Sequence, residues 1–315
     1  MDILAQFRRR AASLNRTVVL PEAQDERVVE AALRLHREGI CRVLLVGNPR
    51  TAPPAGIGVV DPAAHPDRAA FEELYYELRR HKGVTREEAR ARLQDPLFFA
   101  AALVRRGDAD LSVAGAAAPT ARVLRAGLHL VGTAPGSQVV SSFFLMVLTD
   151  GRPLAFGDCA VVPEPDPEQL ARIALDTAAS YAKLTGAEPR VAMLSFSTKG
   201  SARHDRVERV AAATALAREM EPSLAIDGEL QFDAAFLPRV GERKAPGSPV
   251  AGRANVYIFP GLEAGNIGYK IAQRLGGARA VGPVIQGFAR PFLDLSRGCS
   301  AEDIVETAAI GCLIA

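Results

Sequence analysis

Two serines, an arginine, a thiol and three acids fall within ten residues, Asp294-Leu295-Ser296-Arg297-Gly298-Cys299-Ser300-Ala301-Glu302-Asp303. Together they could handle an anion and a proton. A guanidinium offers a bidentate fork suited to phosphate, and a positioned carboxylate can take a proton from a reacting group. The plainer reading competes with this. Ser300 and Asp303 have the spacing of a capping box, and an arginine alone is more often a surface charge. The apolar positions that follow, Ile304, Val305, Ala308, Ala309, Cys312 and Leu313, repeat at helical spacing. The stretch before, Gly282-Pro283-Val284-Ile285-Gln286-Gly287, reads as a buried strand running into a loop. A polar loop thus lies between a strand and the start of a terminal helix, where backbone N–H groups converge and attract anions.

Other stretches carry similar chemistry. Arg79, Arg80, His81 and Lys82 form the densest basic patch. They are either a solvated helix C-terminus, which favours cations, or a clamp for a polyanion. Asp110-Leu111-Ser112-Val113-Ala114-Gly115 reads as a strand entering a small-residue loop, ahead of a helix with Arg122 and Arg125. That order is frequent around phosphates but weak alone. Ser197-Thr198-Lys199-Gly200-Ser201, between a strand and a helix, is an anion nest or an ordinary capped loop. The acids of Ile226 to Asp233 read as solvated loop charges, or as part of a divalent metal site that lacks supporting ligands. Lys244 to Gly252 is Pro/Gly-rich and reads as a mobile flap. Cys299 tempts as a nucleophile, but no histidine lies near it in sequence to activate it.

These stretches must be positioned by an α/β framework. The chain has 315 residues, 48% of them hydrophobic, which points to about two domains. A net charge of +2 argues against a nucleic-acid partner. Cys41, Cys159, Cys299 and Cys312 show no metal spacing and read as reduced thiols of a cytoplasmic protein. Neither a signal-peptide core nor a membrane-spanning run is expected. A strand at Arg16 to Pro21, a helix from Asp25 to Gly39 and an apolar strand at Cys41 to Gly47 argue a parallel sheet covered on both faces. Residues 51–66 read as connection. Helices follow at Phe71 to Arg80, Glu87 to Leu93 and Phe98 to Arg106. Val139 to Leu148 and Leu154 to Cys159 read as antiparallel strands turning at Asp150-Gly151, with a domain change just before them.

Taken together, the residues resemble the phosphate acetyltransferase (phosphotransacetylase) family over nearly the whole chain. The resemblance rests on Leu20-Pro21-Glu22 with Asp25-Glu26-Arg27, on Leu78 to Gly83, and on Thr133 to Gly136 with Ser141 to Met146. It continues through Asp158 to Val161, Leu194 to Ser201 and Asp227 to Gln231, and is most specific at Ala251 to Arg274 and Asp294 to Asp303. It implies a two-domain, three-layer α/β/α fold of the isocitrate/isopropylmalate dehydrogenase-like type. Domain I would be discontinuous, residues 1–137 and 287–315, with domain II, residues 138–286, carrying the dimer contact. The implied activity is reversible acetyl transfer between acetyl phosphate and coenzyme A, by direct thiol attack in a ternary complex. Coenzyme A enters as a substrate, with no bound cofactor and no metal, in a cytoplasmic homodimer without nucleic-acid or membrane partners.

By matching position, the resemblance makes Asp303 the general base, Arg297 the phosphate and oxyanion ligand, and Ser296 a hydrogen-bond donor to the reacting groups. Arg79 and Arg125 match arginines linked to coenzyme A. Ser197, Thr198, Lys199, Lys270 and Gln286 complete the substrate-binding set. Departures fall at Ala116-Ala117-Ala118-Pro119, Arg253 and Gly261, and bear on substrate fit. Alternatives are a phosphate acyltransferase for butyryl or propanoyl groups, and a non-catalytic acyl-CoA-sensing domain. A free thiol near 8.5 and a free aspartate near 3.9 make the proton transfer uphill by roughly 6 kcal/mol. Asp303 therefore needs burial, or proton loss coupled to thiol attack.

Overall fold

The computed structural model describes residues 2–137 and 139–315. Met1 and Gln138, where the expected domains begin, lie outside the described residues. The chain forms two units, Met1–Gly136 with Phe288–Ala315, and Ser137–Gly287. In the first, α1 (Ile3–Leu14), β1 (Thr17–Leu20), α2 (Glu26–Arg37), β2 (Arg42–Val46) and β3 (Gly58–Val60) come first. Next are α3 (Arg68–Arg79), α4 (Arg86–Arg92), α5 (Pro96–Arg106), β4 (Leu111–Ala114) and α6 (Thr120–Ala126). The second unit holds β5 (Ser141–Val147), β6 (Pro153–Gly157), α7 (Pro167–Thr185), β7 (Arg190–Leu194) and α8 (Asp205–Met220). It continues with β8 (Ala225–Leu230), α9 (Phe232–Phe236), α10 (Pro238–Lys244), β9 (Val256–Ile258), α11 (Leu262–Arg274) and β10 (Arg279–Gln286). The chain returns to the first unit with β11 (Phe292–Asp294) and α12 (Ala301–Ile314).

The first unit's sheet is parallel throughout, in the order β11-β4-β1-β2-β3. Its strands are apolar because helices cover them: Val18, Val19, Leu20, Leu111 and Phe292 have no exposed surface. The helical repeat after Asp303 forms α12, whose residues from Ile304 to Leu313 are all buried. Such a helix is an internal one. The chain builds outward from β1 to β3 and then places β4 and β11 on β1's other side, so the strand order reverses between β1 and β4. In open α/β sheets ligands bind beyond the carboxyl ends of strands at such a reversal.

The second unit's sheet is mixed, in the order β10-β5-β6-β9-β7-β8, with β10/β5 and β5/β6 antiparallel. The expected hairpin at Asp150-Gly151 is therefore present, over a core that includes Phe144, Met146, Phe156 and Tyr257. Two expectations are corrected. The acidic stretch Ile226 to Asp233 is no solvated loop. It contains β8, with Asp227 and Glu229 only 1% and 5% exposed, and internal cations and hydroxyls compensate the burial. Nor does the stretch Lys244 to Gly252 hang free as a flap. Ser248 donates to Asp227 and accepts from the N–H groups of Val250 and Ala251. β3, inside the stretch read as connection, is marked only by its pairing with β2.

Candidate active site

Three loops meet at the carboxyl edge of the first unit's sheet, after β1, β4 and β11. Glu22, just past β1, lays its carboxylate into the loop after β4. One oxygen accepts from Gly115 N and Ala116 N at 2.9 and 2.8 Å, the other from Ala117 N and Ala118 N at 3.0 and 2.7 Å. Four successive N–H groups make an anion nest. The loop read as a phosphate cradle is thus filled by an internal carboxylate.

Arg27, in the first turn of α2, joins all three loops. Its guanidinium donates to both Asp25 oxygens at 3.0 and 2.7 Å, to the Ala116 carbonyl at 2.7 Å, and to the carbonyls of Arg297 and Cys299 at 2.8 and 2.9 Å. The hydrogen bond from Arg27 is the main reason the Asp25 carboxyl lies below its ordinary range. Beneath the loop, Asp294 is 1% exposed and accepts from the Thr120 hydroxyl at 2.6 Å. Burial pushes its carboxyl up to about 6. Gly115, at φ +104°, leaves the space its other oxygen needs: a Cβ there would lie 2.4 Å from Asp294 Oδ1.

Above these supports, Ser296 to Cys299 form a turn closed by Cys299 N donating to Ser296 O at 2.9 Å. Ser296 and Arg297 are exposed, and no ion pair engages Arg297 among the described residues. Asp303 is exposed as well and closes the capping box of α12. Its Oδ2 accepts from Ser300 N at 2.8 Å and Ser300 Oγ at 2.9 Å, while its own N–H donates to Ser300 Oγ at 3.2 Å. The capping reading is therefore correct, and it holds the carboxylate beside the Ser296–Arg297 turn. The protein around Asp303 does not supply the burial that proton transfer called for. Next to it, Glu302 is held by Arg8 and Arg34. Cys299 is 7% exposed, and burial pushes its thiol up, against the nearby Arg27 charge. A thiol held protonated is a poor nucleophile.

The charges of Arg79, at the end of α3, and Arg125, in the last turn of α6, both act on His129. His129 lies in a π-helical turn, Gly127–Val131, that continues α6. Its Nδ1 hydrogen-bonds Tyr75 Oη at 2.8 Å. Burial, then the charges of Arg79, Arg92 and Arg125, bring the ring down to about 4, so it is neutral at pH 7.

In the second unit the candidate residues are taken up internally. Ser197, fully buried, donates to Glu229 at 2.9 Å, and Gly200 N donates to the same carboxylate at 2.7 Å. Thr198 Oγ1 accepts from Gln231 N at 2.9 Å. Lys199, at φ +50°, pairs with Asp227, which also receives Arg218 and Ser248. Burial opposes the ionised form of Asp227, but these hydrogen bonds outweigh it and lower the carboxyl. Gln286 gives its amide to Ser141 and Thr177 at 3.0 and 2.9 Å inside the unit. Lys270, exposed on α11, donates to Asn266 at 2.7 Å. The structure thus gathers Ser296, Arg297 and Asp303 on one loop and helix start, and brings the charges of Arg79 and Arg125 to bear on one histidine. The second unit's Ser197, Thr198, Lys199 and Gln286 act as internal ties. Sequence reasoning singled out no role for Glu22, Arg27, Arg92 or His129. Glu22 and Arg27 lay in a quoted motif, but their contacts are 93 and 270 positions away.

A parallel α/β sheet whose carboxyl-edge loops present an arginine, a serine and a helix-start aspartate defines an anion-handling α/β protein. The chain belongs to the phosphate acetyl/butaryl transferase family, whose model matches residues 2–312, and is an acyltransferase. It is 48% identical to a phosphate acetyltransferase of Paracoccus denitrificans, with 98% of each chain covered. It is 47% identical to one of Acetivibrio thermocellus, covering 98% of this chain and 97% of the relative. Among solved structures, a phosphotransacetylase from Streptococcus pyogenes matches with a TM-score of 0.94 at 41% identity, over 99% of this chain and 97% of the other. The 4-hydroxythreonine-4-phosphate dehydrogenase from Klebsiella pneumoniae shares the fold alone, with a TM-score of 0.52 at 13% identity over 94% of this chain and 98% of that one. The expected α/β fold class is borne out.

Proposed function

We propose that the chain moves an acetyl group reversibly between acetyl phosphate and coenzyme A, by direct attack of the coenzyme A thiol. The observation that carries this reading is the single loop presenting Ser296, Arg297 and Asp303, in a chain nearly half identical to phosphate acetyltransferases. Sulfur bonds to the acetyl carbon, the carbon–oxygen bond to phosphate breaks, and the thiol proton passes to Asp303. Arg297 stabilises the oxyanion and the departing phosphate, and Ser296 hydrogen-bonds the reacting groups; a preorganised donor of this kind contributes about 3–4 kcal/mol. Because Asp303 is exposed, proton loss is coupled to sulfur–carbon bond formation and no free thiolate accumulates. Arg79 and Arg125 hold coenzyme A. Lys199, Ser197 and Thr198 shape their own loop instead of touching phosphate, and Gln286 and Lys270 likewise serve the second unit. The relatives' shared name favours acetyl over longer acyl groups, which a chain-length series would check.

We place the reaction in the cytoplasm, in keeping with four free buried thiols. We also propose a homodimer through α11, where Ile267, Ile271 and the C-cap residue Leu275 follow at intervals of four and are 58%, 53% and 85% exposed; one stripe of that size asks for a partner. The deciding assay follows thiol consumption with acetyl phosphate and coenzyme A. Asp303→Asn keeps a capping side chain and should lose turnover by at least about 100-fold, whereas Ser300→Ala removes the cap's hydroxyl at a stability cost of about 1 kcal/mol. If Asp303→Asn stays active, Asp303 is only a cap.

A further inference from the structure

The basic cluster around His129 is larger than the pair assigned above. The charge of Arg92, the last residue of α4, acts on the same imidazole as those of Arg79 and Arg125. Its guanidinium carbon lies 5.0 Å from the centre of the Phe98 ring, which in turn packs edge-on against His129 at 5.9 Å. Arg92 also reaches the Tyr75 hydroxyl, which is bonded to His129 Nδ1. If a guanidinium donates to the Tyr75 oxygen, the Tyr75 proton goes to Nδ1, and the neutral ring keeps its own proton on Nε2 as a donor.

The neighbours of these arginines are paired and the cluster is not. Arg80 pairs with Glu77, Arg86 with Glu73, Arg90 with Glu72 and Arg122 with Asp95. Among the described residues no ion pair engages Arg79, Arg92 or Arg125, and Arg79 Nε is buried without a hydrogen-bond partner. The Glu88 charge also acts on Tyr75, but three like charges with no ion-paired carboxylate among the described residues repel one another, and a multiply charged anion would relieve that repulsion. A wide π-helical turn places His129 among them, a feature often found at functional sites.

We propose that Arg92, with the Tyr75–His129 pair, extends the Arg79–Arg125 site into a three-guanidinium seat for a phosphate group of coenzyme A, so that Arg92 helps select the phosphorylated substrate. This rests on the reading of coenzyme A as substrate. The chemistry recognised is a phosphate ester, and coenzyme A offers two sources, its diphosphate and its 3′-phosphate.

The experiment compares wild type, Arg92→Gln and Arg92→Lys on the full chain, with coenzyme A, 3′-dephospho-coenzyme A and pantetheine as thiols. Loss of one charge-assisted contact should raise KM for coenzyme A about 10-fold or more in Arg92→Gln, and Arg92→Lys should recover part of it. A penalty that vanishes with 3′-dephospho-coenzyme A assigns the seat to the 3′-phosphate. One that persists there but vanishes with pantetheine assigns it to the diphosphate. A penalty equally large with pantetheine, or none with coenzyme A, overturns the seat. Calorimetry with adenosine 3′,5′-bisphosphate and with adenosine 5′-diphosphate reads the same site without turnover. Weaker binding of either nucleotide to Arg92→Gln supports the seat even if wild type fails to make acetyl-CoA. Unchanged binding of both overturns it.

Discussion

At the scale of single residues, Arg27 is the side chain on which the geometry of the Ser296–Cys299 loop depends. It grips the carbonyls of Arg297 and Cys299 from α2, so the Arg297 side chain is aimed through its own backbone carbonyl. Arg27→Ala should lower kcat by about 100-fold, the cost of a displacement near 1 Å. Arg27→Lys should restore little, because one ammonium cannot reach Asp25, Ala116 and both loop carbonyls. Steady-state kinetics checks this, and a change confined to KM would contradict it.

A buried and a half-buried titrating group, Asp294 and His129, give opposite pH dependences. Asp294 is raised in the folded chain to about 6, so its contribution to stability is full below the unfolded value near 3.8 and is lost as pH rises through 6. Ionising it in place costs on the order of 3 kcal/mol at pH 7. Asp294→Asn should therefore gain on wild type between pH 4 and pH 7, measured by urea unfolding. His129 is lowered to about 4, so its contribution is full above the ordinary value near 6.5 and fades as pH falls toward 4. His129→Gln should remove that acid sensitivity.

At the scale of elements, internal carboxylates fold the polar loops. Glu22 fills the nest after β4, and Glu229 ties down the loop after β7. Asp158 accepts from the N–H groups of Ala160, Val161 and Val162. Each provides the negative charge that such a nest attracts, so the loops are ordered before any substrate arrives. Asp227 does the same for the stretch after α10 through Ser248. Asp227→Ala would leave Lys199 and Arg218 without their shared partner. Both are partly exposed, so the cost should be about 2–3 kcal/mol. A shift in urea midpoint with unchanged slope would show it.

For the whole molecule, the prediction concerns association. Ile267 and Ile271 on α11 and Leu275 at its C-cap follow one another at intervals of four, and burying them against a second copy removes apolar surface from water. Wild type should sediment as the proposed dimer and Ile271→Asp as a monomer in sedimentation velocity. A wild type that is itself monomeric at micromolar concentration would refute the interface.

Local chemistry was enough to read much of this protein. The apolar strands of the first unit, the helical repeat of α12, the turn at Asp150-Gly151 and the Ser300/Asp303 box all follow from interactions within a few residues or from periodicity. The family resemblance added the acyl-transfer chemistry. Tertiary structure alone decided which charges are available. Nothing local separates Lys199, engaged by Asp227, from Arg297, exposed with no ion pair among the described residues, because the partner carboxylate lies 28 positions away. Likewise the loop at Gly115 to Ala118 has the composition of a phosphate cradle, and only the sheet's strand order brings Glu22 across to fill it. A sequence records which groups can bind an anion. The fold sets which of them have already been neutralised, since Coulombic and hydrogen-bond energies depend on distances fixed by long-range packing.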